Sequence, residues 1–431
     1  MLDLKFIRTH TDFVKQNLSR RNDPKILELL DELLKLDTQW RANLLEADSL
    51  KAKRNLANKA IAAEKDITTK QKKIAEMKLV GNQISNLDAS LSTARERIDF
   101  LLMCIPNLLD ESVPFGKDDS ENVELRSWGK KIKPDFQIEH HGKLVSSQGL
   151  ADFDNAVKIS GEGFYFLKGD LALLDFSLQS LAINLLSQKN YTLMQVPFML
   201  RRAPYDGVTD LGAFEEMMYK IENEDLYLIA TSEHPLIAMH SNQIFQENQL
   251  PLKFIGLSTC FRKESGKHGL DERGLFRVHQ FNKVEQVIYC LPDDSEKYFE
   301  EIISNSERFF QLLDIPYRVV NICTGDIGIV ASKKFDLEGW SPREQKFIEN
   351  GSISNCLSYQ AVRSKIRYFP KGSSETEYLH TLNGTMAAIP RILRLIIENY
   401  QQADGSIKIP RVLQPLMNNK TELTPLNSTK K

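Results

Sequence analysis

From Lys25 to Ile105 the chain contains no proline, and Gly81 is the only glycine. Proline breaks helices and glycine weakens them, so so long a stretch without them is committed to helix. Leu33, Leu36, Trp40, Ala47, Leu50, Ala57 and Ile61 recur at or near a 3–4 spacing, as do Ile74, Met77, Ile84, Leu91, Ile98 and Leu101. The pattern weakens between Ala63 and Thr69, where Glu, Asp and Thr supply turn and capping residues. The spacing predicts an antiparallel helical hairpin, roughly 26–64 and 68–102, with heptad-like packing. At ~1.5 Å per residue each arm outreaches a small domain. Such a hairpin buries little surface alone and so projects toward a partner. Near its tip lie Lys51, Lys53, Arg54, Lys59, Lys65, Lys70, Lys72 and Lys73. A positive cluster suits a phosphate backbone. The same lysines would also serve as a solvated face that keeps a coiled coil soluble, and charge alone does not separate the two readings.

At 431 residues the chain exceeds one compact core and predicts two or three domains. Its net charge of −2 gives no global signal for nucleic acid, so a polyanion site must be a local patch. The five cysteines (104, 260, 290, 323 and 356) form no Cys-x-x-Cys and no paired Cys/His spacing. This excludes a zinc ribbon and a secreted disulfide framework, and no zinc is expected. No apolar run approaches membrane-spanning length, and MLDLKFIRTH lacks the apolar core of a signal peptide. The expectation is a cytoplasmic protein with no membrane partner. Residues 106–135 are rich in Pro, Gly, Asp and Ser and read as a linker. The expected division is an arm over 1–105, this linker, a second domain over 136–417, and a disordered polar tail over 418–431.

The second domain centres on residues 254–287. An apolar run, Phe254 to Leu257, delivers Phe261 and Arg262. A charged loop follows, punctuated by Gly266, Gly269 and Gly274. In the run Phe276 to Val287, Arg277, His279, Phe281 and Glu285 alternate at period two, which places them on one face of a strand. Two strands joined by this loop would present Arg262, Glu264, Phe281 and Glu285 to one cleft. Arg binds a phosphate or carboxylate in a planar fork, Phe stacks on a base, and Glu accepts from an ammonium. A bare Arg-x-Glu would be no more than a solvated hairpin. Upstream, the strand Leu226–Ala230 delivers Thr231, Ser232 and Glu233. These side chains suit a small ammonium, and equally a helix N-cap with a following acid. Neither GxxxxGK[ST] nor GxGxxG occurs, so a phosphate loop and a dinucleotide fold find no support.

The segment FRKESG, followed by RGLFRVHQFNKVE, resembles motif 2 of the class II aminoacyl-tRNA synthetases in its seryl-tRNA synthetase form. The resemblance extends to about Met417, with the class motifs in order. It implies an α+β fold: an antiparallel-sheet catalytic domain preceded by the long N-terminal α-helical hairpin, which in this family grips the long variable arm of tRNA(Ser). It leaves tRNA(Sec) open as a second substrate. Leu171–Gln188 and Tyr191–Leu200 resemble motif 1, which builds the homodimer interface, although the helix alone reads equally as core. The TSE triplet resembles the serine-binding segment. Glu349 and Ser352 fall where the family binds ATP and a divalent metal, and oxygen-only ligands suit Mg²⁺. Gly351 and Ile353 depart from the usual Ser and Cys. His380 to Gln401 resembles motif 3, with Arg391 toward the γ-phosphate and Asn383-Gly384 read as a turn. Pro390 replaces a usual glycine, which the first turn of a helix tolerates.

By this resemblance Arg262, Glu285 and Arg391 carry the chemistry. Thr231, Ser232, Glu233, Asn383 and Thr385, with Arg262 and Glu285, frame L-serine. Lys263, Glu264, Val278, Phe281, Asn350 and Gly351 join Arg262, Glu349, Ser352 and Arg391 around ATP. Lys51, Lys53, Arg54, Lys59, Lys70, Lys72 and Lys73 face tRNA. His279 is a positioning residue, and His268 meets the acceptor end. The implied reaction is serine adenylation followed by transfer to tRNA. A diverged paralogue that loads another carrier or has lost catalysis is the alternative enzyme-class reading. A non-enzymatic coiled-coil adaptor would explain only residues 25–105. Threonine or proline specificity is disfavoured by the projecting hairpin and by the lack of zinc ligands or an added anticodon-binding domain.

Overall fold

The computed structural model describes residues 1–209, 217–264 and 274–426. Gly266, Gly269 and His268 lie outside the described residues. The chain divides into two compact units, Met1–Leu108 and Leu109–Lys431.

In the first unit two short helices, α1 (Leu4–Thr9) and α2 (Thr11–Ser19), precede the hairpin of α3 (Pro24–Ala63) and α4 (Ile67–Cys104). Each long helix starts on an aspartate cap. Asp23 accepts from the Lys25 amide at 3.0 Å, ahead of Pro24 in the first turn, and Asp66 accepts from the Thr69 amide at 2.7 Å. Leu30, Leu33 and Ala47 of α3 are buried, as are Val80, Ile84, Leu91, Ile98 and Leu101 of α4. An Arg97–Glu32 fork at 2.7 and 2.8 Å ties the two helices together at the surface. Asp37, 1% exposed, is held by Arg8 and Arg41. Between residues 48 and 79 no side chain is fully buried. The outer hairpin therefore has no core of its own.

The second unit is built on an eight-stranded sheet. Its strands are β1 (Val123–Trp128), β2 (Thr192–Gln195), β3 (Leu252–Phe261), β4 (Gln280–Cys290), β5 (Tyr317–Asn321), β6 (Lys333–Ser341), β7 (Lys346–Asn355) and β8 (His380–Ala388). Their order is β1-β5-β6-β7-β8-β4-β3-β2, antiparallel except that β2 runs parallel to β3. Helices α5 (Gly169–Ser187), α6 (Ser295–Leu312) and α8 (Ile389–Tyr400) share one core with the sheet, including Leu174, Ile302, Ile396, Ile288, Leu337 and Ile353. The period of two divides β4 accordingly. Val284 and Ile288 join that core, whereas Phe281, Lys283 and Glu285 line a cleft. A second core, with Tyr205, Ile229, Leu236, Val287 and Tyr289, forms beside the cleft and includes the short helix α7 (Tyr359–Ser364) through Ala361.

Four expectations are corrected. The segment 106–135 is not only a linker: β1 pairs antiparallel with β5, and Leu109 and Val113 are buried in a small cluster with Val320 and Ile322. The tail packs at least as far as Leu426. Leu423 is 2% exposed, Lys420 pairs with Asp170 at 2.7 Å, and the Leu426 amide donates to the Gln148 carbonyl at 2.9 Å. Residues 427–431 lie outside the described residues. Asn383 and Gly384 are not a turn but mid-strand in β8, and the glycine serves close packing, since a Cβ on Gly384 would meet Ile302 of α6 at 2.3 Å. Finally, β4 begins only at Gln280, so Arg277 and His279 precede the strand. His279 Nδ1 there donates to the Arg262 carbonyl at 2.8 Å and lies 3.0 Å from Tyr219 Oη.

Candidate active site

The cleft is an open space of about 750 Å³ on the side of β4 from which Phe281, Lys283 and Glu285 project. The ends of β3 and β4, the middle of β7, β8 and the first turn of α8 converge on it. At one end Glu285, 2% exposed, receives Lys283 Nζ at 2.5 Å and the Thr385 hydroxyl at 3.3 Å. Glu233 begins the helix Glu233–Ala238, and its amide donates to Thr231 Oγ1 at 3.2 Å. Ser232 stands at the N-cap but makes no side-chain cap bond, while Thr231 and Glu233 of the same triplet line the cleft. Glu233 Oε1 accepts from Asn383 Nδ2 at 3.0 Å and Gln360 Nε2 at 2.9 Å. Desolvation in the cleft wall and the negative charge of Glu285 push its pKa up to about 7. This end therefore concentrates carboxylate and hydroxyl oxygens, with Lys283 paired to Glu285 among them.

In the middle, Arg262 Nε donates to the Ala230 carbonyl at 3.3 Å, and its guanidinium carbon lies 5.3 Å from the Phe281 ring centroid. A planar cation and an aromatic plate are thereby fixed side by side. At the far end Pro390 occupies the first turn of α8, where its missing N–H costs nothing, and Arg391 faces the cleft. Arg391 Nη1 donates to the Glu349 carbonyl at 2.9 Å and lies 3.3 Å from its carboxylate. Phe276 sits under Arg391, 5.2 Å from its guanidinium carbon. Glu349 keeps 48% of its side-chain surface open. Against the cost of desolvation, Arg391 and Lys334 hold it below the ordinary carboxylate range.

Thr231, Glu233, Arg262, Glu264, Val278, Phe281, Glu285, Glu349, Asn350, Gly351, Ser352, Asn383, Thr385 and Arg391 all line this cleft. Two expected residues do not. Ser232 is fully buried, and its hydroxyl donates to the Gly256 carbonyl at 3.2 Å, because the helical turn points it into the second core. Lys263 lies beside the cleft with its ammonium 5.7 Å from the Tyr219 ring centroid. Lys283 and Phe276 were missed by the sequence reading. Lys283 has the same parity as Phe281 and Glu285, which was the available signal. The departure at Gly351 has a steric partner, since a Cβ there would lie 2.7 Å from Thr385 Cβ.

A hard divalent cation fits the far end. Glu349 and Ser352 offer oxygens, and Asp336 pairs with Ser352 across β6–β7, its buried Oδ1 making no hydrogen bond but lying 3.7 Å from Lys334 Nζ. Burial pushes the Asp336 carboxyl up, opposed by Lys334. Among the described residues no group of three or more His, Cys, Asp or Glu converges as a metal cage. A cation here would therefore share its shell with a ligand. On the hairpin, Lys53, Lys59 and Lys72 are exposed and Arg54 and Lys70 partly so, while Lys51 pairs with Asp88 at 2.8 Å and Lys73 with Glu64 at 2.7 Å. Among the described residues no helix is long and apolar enough to cross a membrane.

The comparisons with known proteins cover both units. Residues 1–109 match the seryl-tRNA synthetase N-terminal domain, and residues 217–400 match the tRNA synthetase class II core domain (G, H, P, S and T). A serine–tRNA ligase of Methanocella arvoryzae is 49% identical over 97% of this chain and 99% of its own length. The crystal structure of seryl-tRNA synthetase from Pyrococcus horikoshii complexed with ATP superposes with a TM-score of 0.93 at 40% identity, covering 99% of this chain and 100% of that one. The cytoplasmic serine–tRNA ligase of Naegleria fowleri in complex with AMP superposes at 0.85 and 35%, over 96% of each chain. Prolyl-tRNA synthetase of Giardia lamblia, at 16% identity and a TM-score of 0.56, shares the fold. A basic helical hairpin, an antiparallel sheet carrying an Arg–Phe–Glu cleft, and likeness along nearly the whole length lead to one conclusion: the chain belongs to the seryl-tRNA synthetase family of class II aminoacyl-tRNA synthetases.

Proposed function

We propose that the cleft activates L-serine with ATP and passes the seryl group to the 3′ end of tRNA(Ser). The observation that carries this reading is the placement of Arg262 between an acceptor-rich end, with Glu233 and Glu285, and an aromatic plate, Phe281, that leads to Arg391. Serine lies at the acceptor end, framed by Thr231, Glu233, Glu285, Asn383 and Thr385. Its carboxylate attacks the α-phosphorus. The new Pα–O bond forms as the bond to the β-phosphate oxygen breaks, giving seryl-adenylate and pyrophosphate. A carboxylate is already a nucleophile, so no general base is required. Arg262 bridges the serine carboxylate and the α-phosphate, where charge develops in the transition state. Phe281 stacks on adenine, and Glu264, Val278, Asn350 and Gly351 complete the nucleotide wall. Arg391 holds the γ-phosphate. Glu349 and Ser352 would hold Mg²⁺, which when bound supplies charge neutralisation on the phosphates. The terminal ribose hydroxyl of tRNA then attacks the acyl carbon and releases AMP.

The hairpin grips RNA by shape and backbone, which suits tRNA(Ser) and leaves room for tRNA(Sec). A cytoplasmic setting follows from that substrate. A homodimer through α5 and β2 is supported by the exposed Phe176 and Leu193 on these elements. Charging of a tRNA(Ser) transcript with labelled serine tests the RNA half. Reversing the exposed Lys53, Lys59 and Lys72 to glutamate is expected to raise the KM for tRNA by about ten-fold or more and to flatten its salt dependence. Serine-dependent pyrophosphate exchange should be unchanged. Charging that ignores this reversal would refute the role of the arm.

A further inference from the structure

The acceptor-rich end of the cleft is backed by buried side chains that lie outside its lining. Gln360, fully buried on α7, donates through Nε2 to Glu233 Oε1 at 2.9 Å and to the Val208 carbonyl at 3.0 Å. Its Oε1 accepts from the Thr381 hydroxyl of β8 at 2.7 Å. Thr381 is itself fully buried. Two acceptors on one side of the amide and a hydroxyl on the other permit a single amide orientation. A flipped amide would set its oxygen against both a carbonyl and a carboxylate. Asn383 Nδ2 also reaches Glu233 Oε1, at 3.0 Å. Both neutral donors therefore take the same oxygen, and Oε2 is the atom turned to the cleft.

We propose that Gln360, held by the Val208 carbonyl on one side of its amide and by the Thr381 hydroxyl on the other, is a positioning residue that fixes which oxygen of Glu233 meets the amino acid, and so sets both the affinity for serine and its discrimination from alanine. This rests on the assignment of serine to this end of the cleft. A site whose buried polar groups need the substrate's own hydrogen-bonding groups rejects a substrate that lacks them, provided those groups are held in place. Gln360 and Thr381 lie outside the cleft lining, so an effect on substrate choice would travel through the carboxylate of Glu233.

The test is ATP–pyrophosphate exchange by the full-length protein, with serine and with alanine, for wild type, Thr381→Val, Thr381→Ser and Gln360→Met. Thr381→Val keeps the volume of the side chain and removes only the hydroxyl. Both Thr381→Val and Gln360→Met are expected to raise the serine KM about ten-fold, the scale of one lost buried hydrogen bond, at unchanged ATP KM. They should also narrow the serine-to-alanine ratio of kcat/KM. Thr381→Ser should restore the wild-type values. Serine-dependent protection against thermal unfolding should fall in parallel, independently of turnover. Folded Thr381→Val and Gln360→Met proteins with wild-type serine KM and alanine ratio would overturn the proposal while leaving the site assignment intact. A wild-type protein inert to serine would overturn the assignment itself, and this inference with it.

Discussion

Arg262→Ala is expected to lower serine-dependent ATP–pyrophosphate exchange by at least ~10²–10³-fold, the cost of removing one transition-state donor from a preorganised site. The loss should fall on kcat as well as KM, because the bridging charge is needed most when the α-phosphate is attacked. The side chain is anchored through Nε to the Ala230 carbonyl and lies beside the Phe281 ring, so its geometry is set before substrate arrives. The η pair is the fork that can meet two oxygens at once. Arg262→Lys should therefore recover little, since an ammonium is a point charge without the fork. Exchange by the alanine variant within a few-fold of wild type would remove Arg262 from the reaction.

The second large effect is on stability, beneath the nucleotide end. Arg394, 2% exposed on α8, donates through Nε to Glu398 at 2.9 Å and pairs also with Glu344. Its guanidinium carbon sits 4.6 Å from the centroid of Phe276 in the cleft wall. Glu398 also receives the Ser341 hydroxyl and faces His141 at 3.6 Å. Although burial pushes the Glu398 carboxyl up, His141, Arg394 and Ser341 outweigh it and hold the pKa at about 2. Arg394→Met leaves Glu398 without its buried guanidinium, while Glu344 keeps Lys346 at 2.6 Å, a loss of about 3–5 kcal/mol. The pH dependence has a definite sign. In the wild type a depressed carboxylate stabilises above its unfolded pKa, and that contribution disappears as pH falls toward about 2. In the variant the uncompensated carboxyl rises above its unfolded value, so protonation relieves it. The difference in urea midpoint between wild type and Arg394→Met should thus be largest at pH 7 and shrink by pH 4. A pH-independent difference would show that packing over Phe276, not charge, is what Arg394 supplies.

The hairpin was legible because its signal is additive. A 3–4 repeat sustained without an interior proline, opened by an aspartate at each N-cap, leaves the backbone few alternatives. The cleft was legible through β4, where parity placed Phe281 and Glu285 together, and through the resemblance, which drew in Glu349, Thr385 and Arg391 from distant strands. The misses have physical causes. Strand β1 is exposed at every position, so its place in the sheet is fixed by backbone pairing that leaves no hydrophobic pattern. The tail is held by scattered contacts, such as Lys420 on Asp170 and Leu423 in the core, which look polar and unstructured when read locally. Asn383-Gly384 has turn composition, but Gly384 serves the close approach of α6. Ser232 points inward because the helix starts one residue after it. Gln360 carries no local signal at all, because its meaning comes from Glu233 and Thr381, which the fold brings to it.

Serine activation is the activity proposed for this cleft. Its most direct test is ATP–pyrophosphate exchange by the purified full-length protein with Mg²⁺, comparing serine with alanine, threonine and glycine. Robust exchange with serine and weak or no exchange with the other three is the expected result. Well-folded protein that exchanges with none of the four would contradict it and leave the diverged, inactive paralogue as the reading.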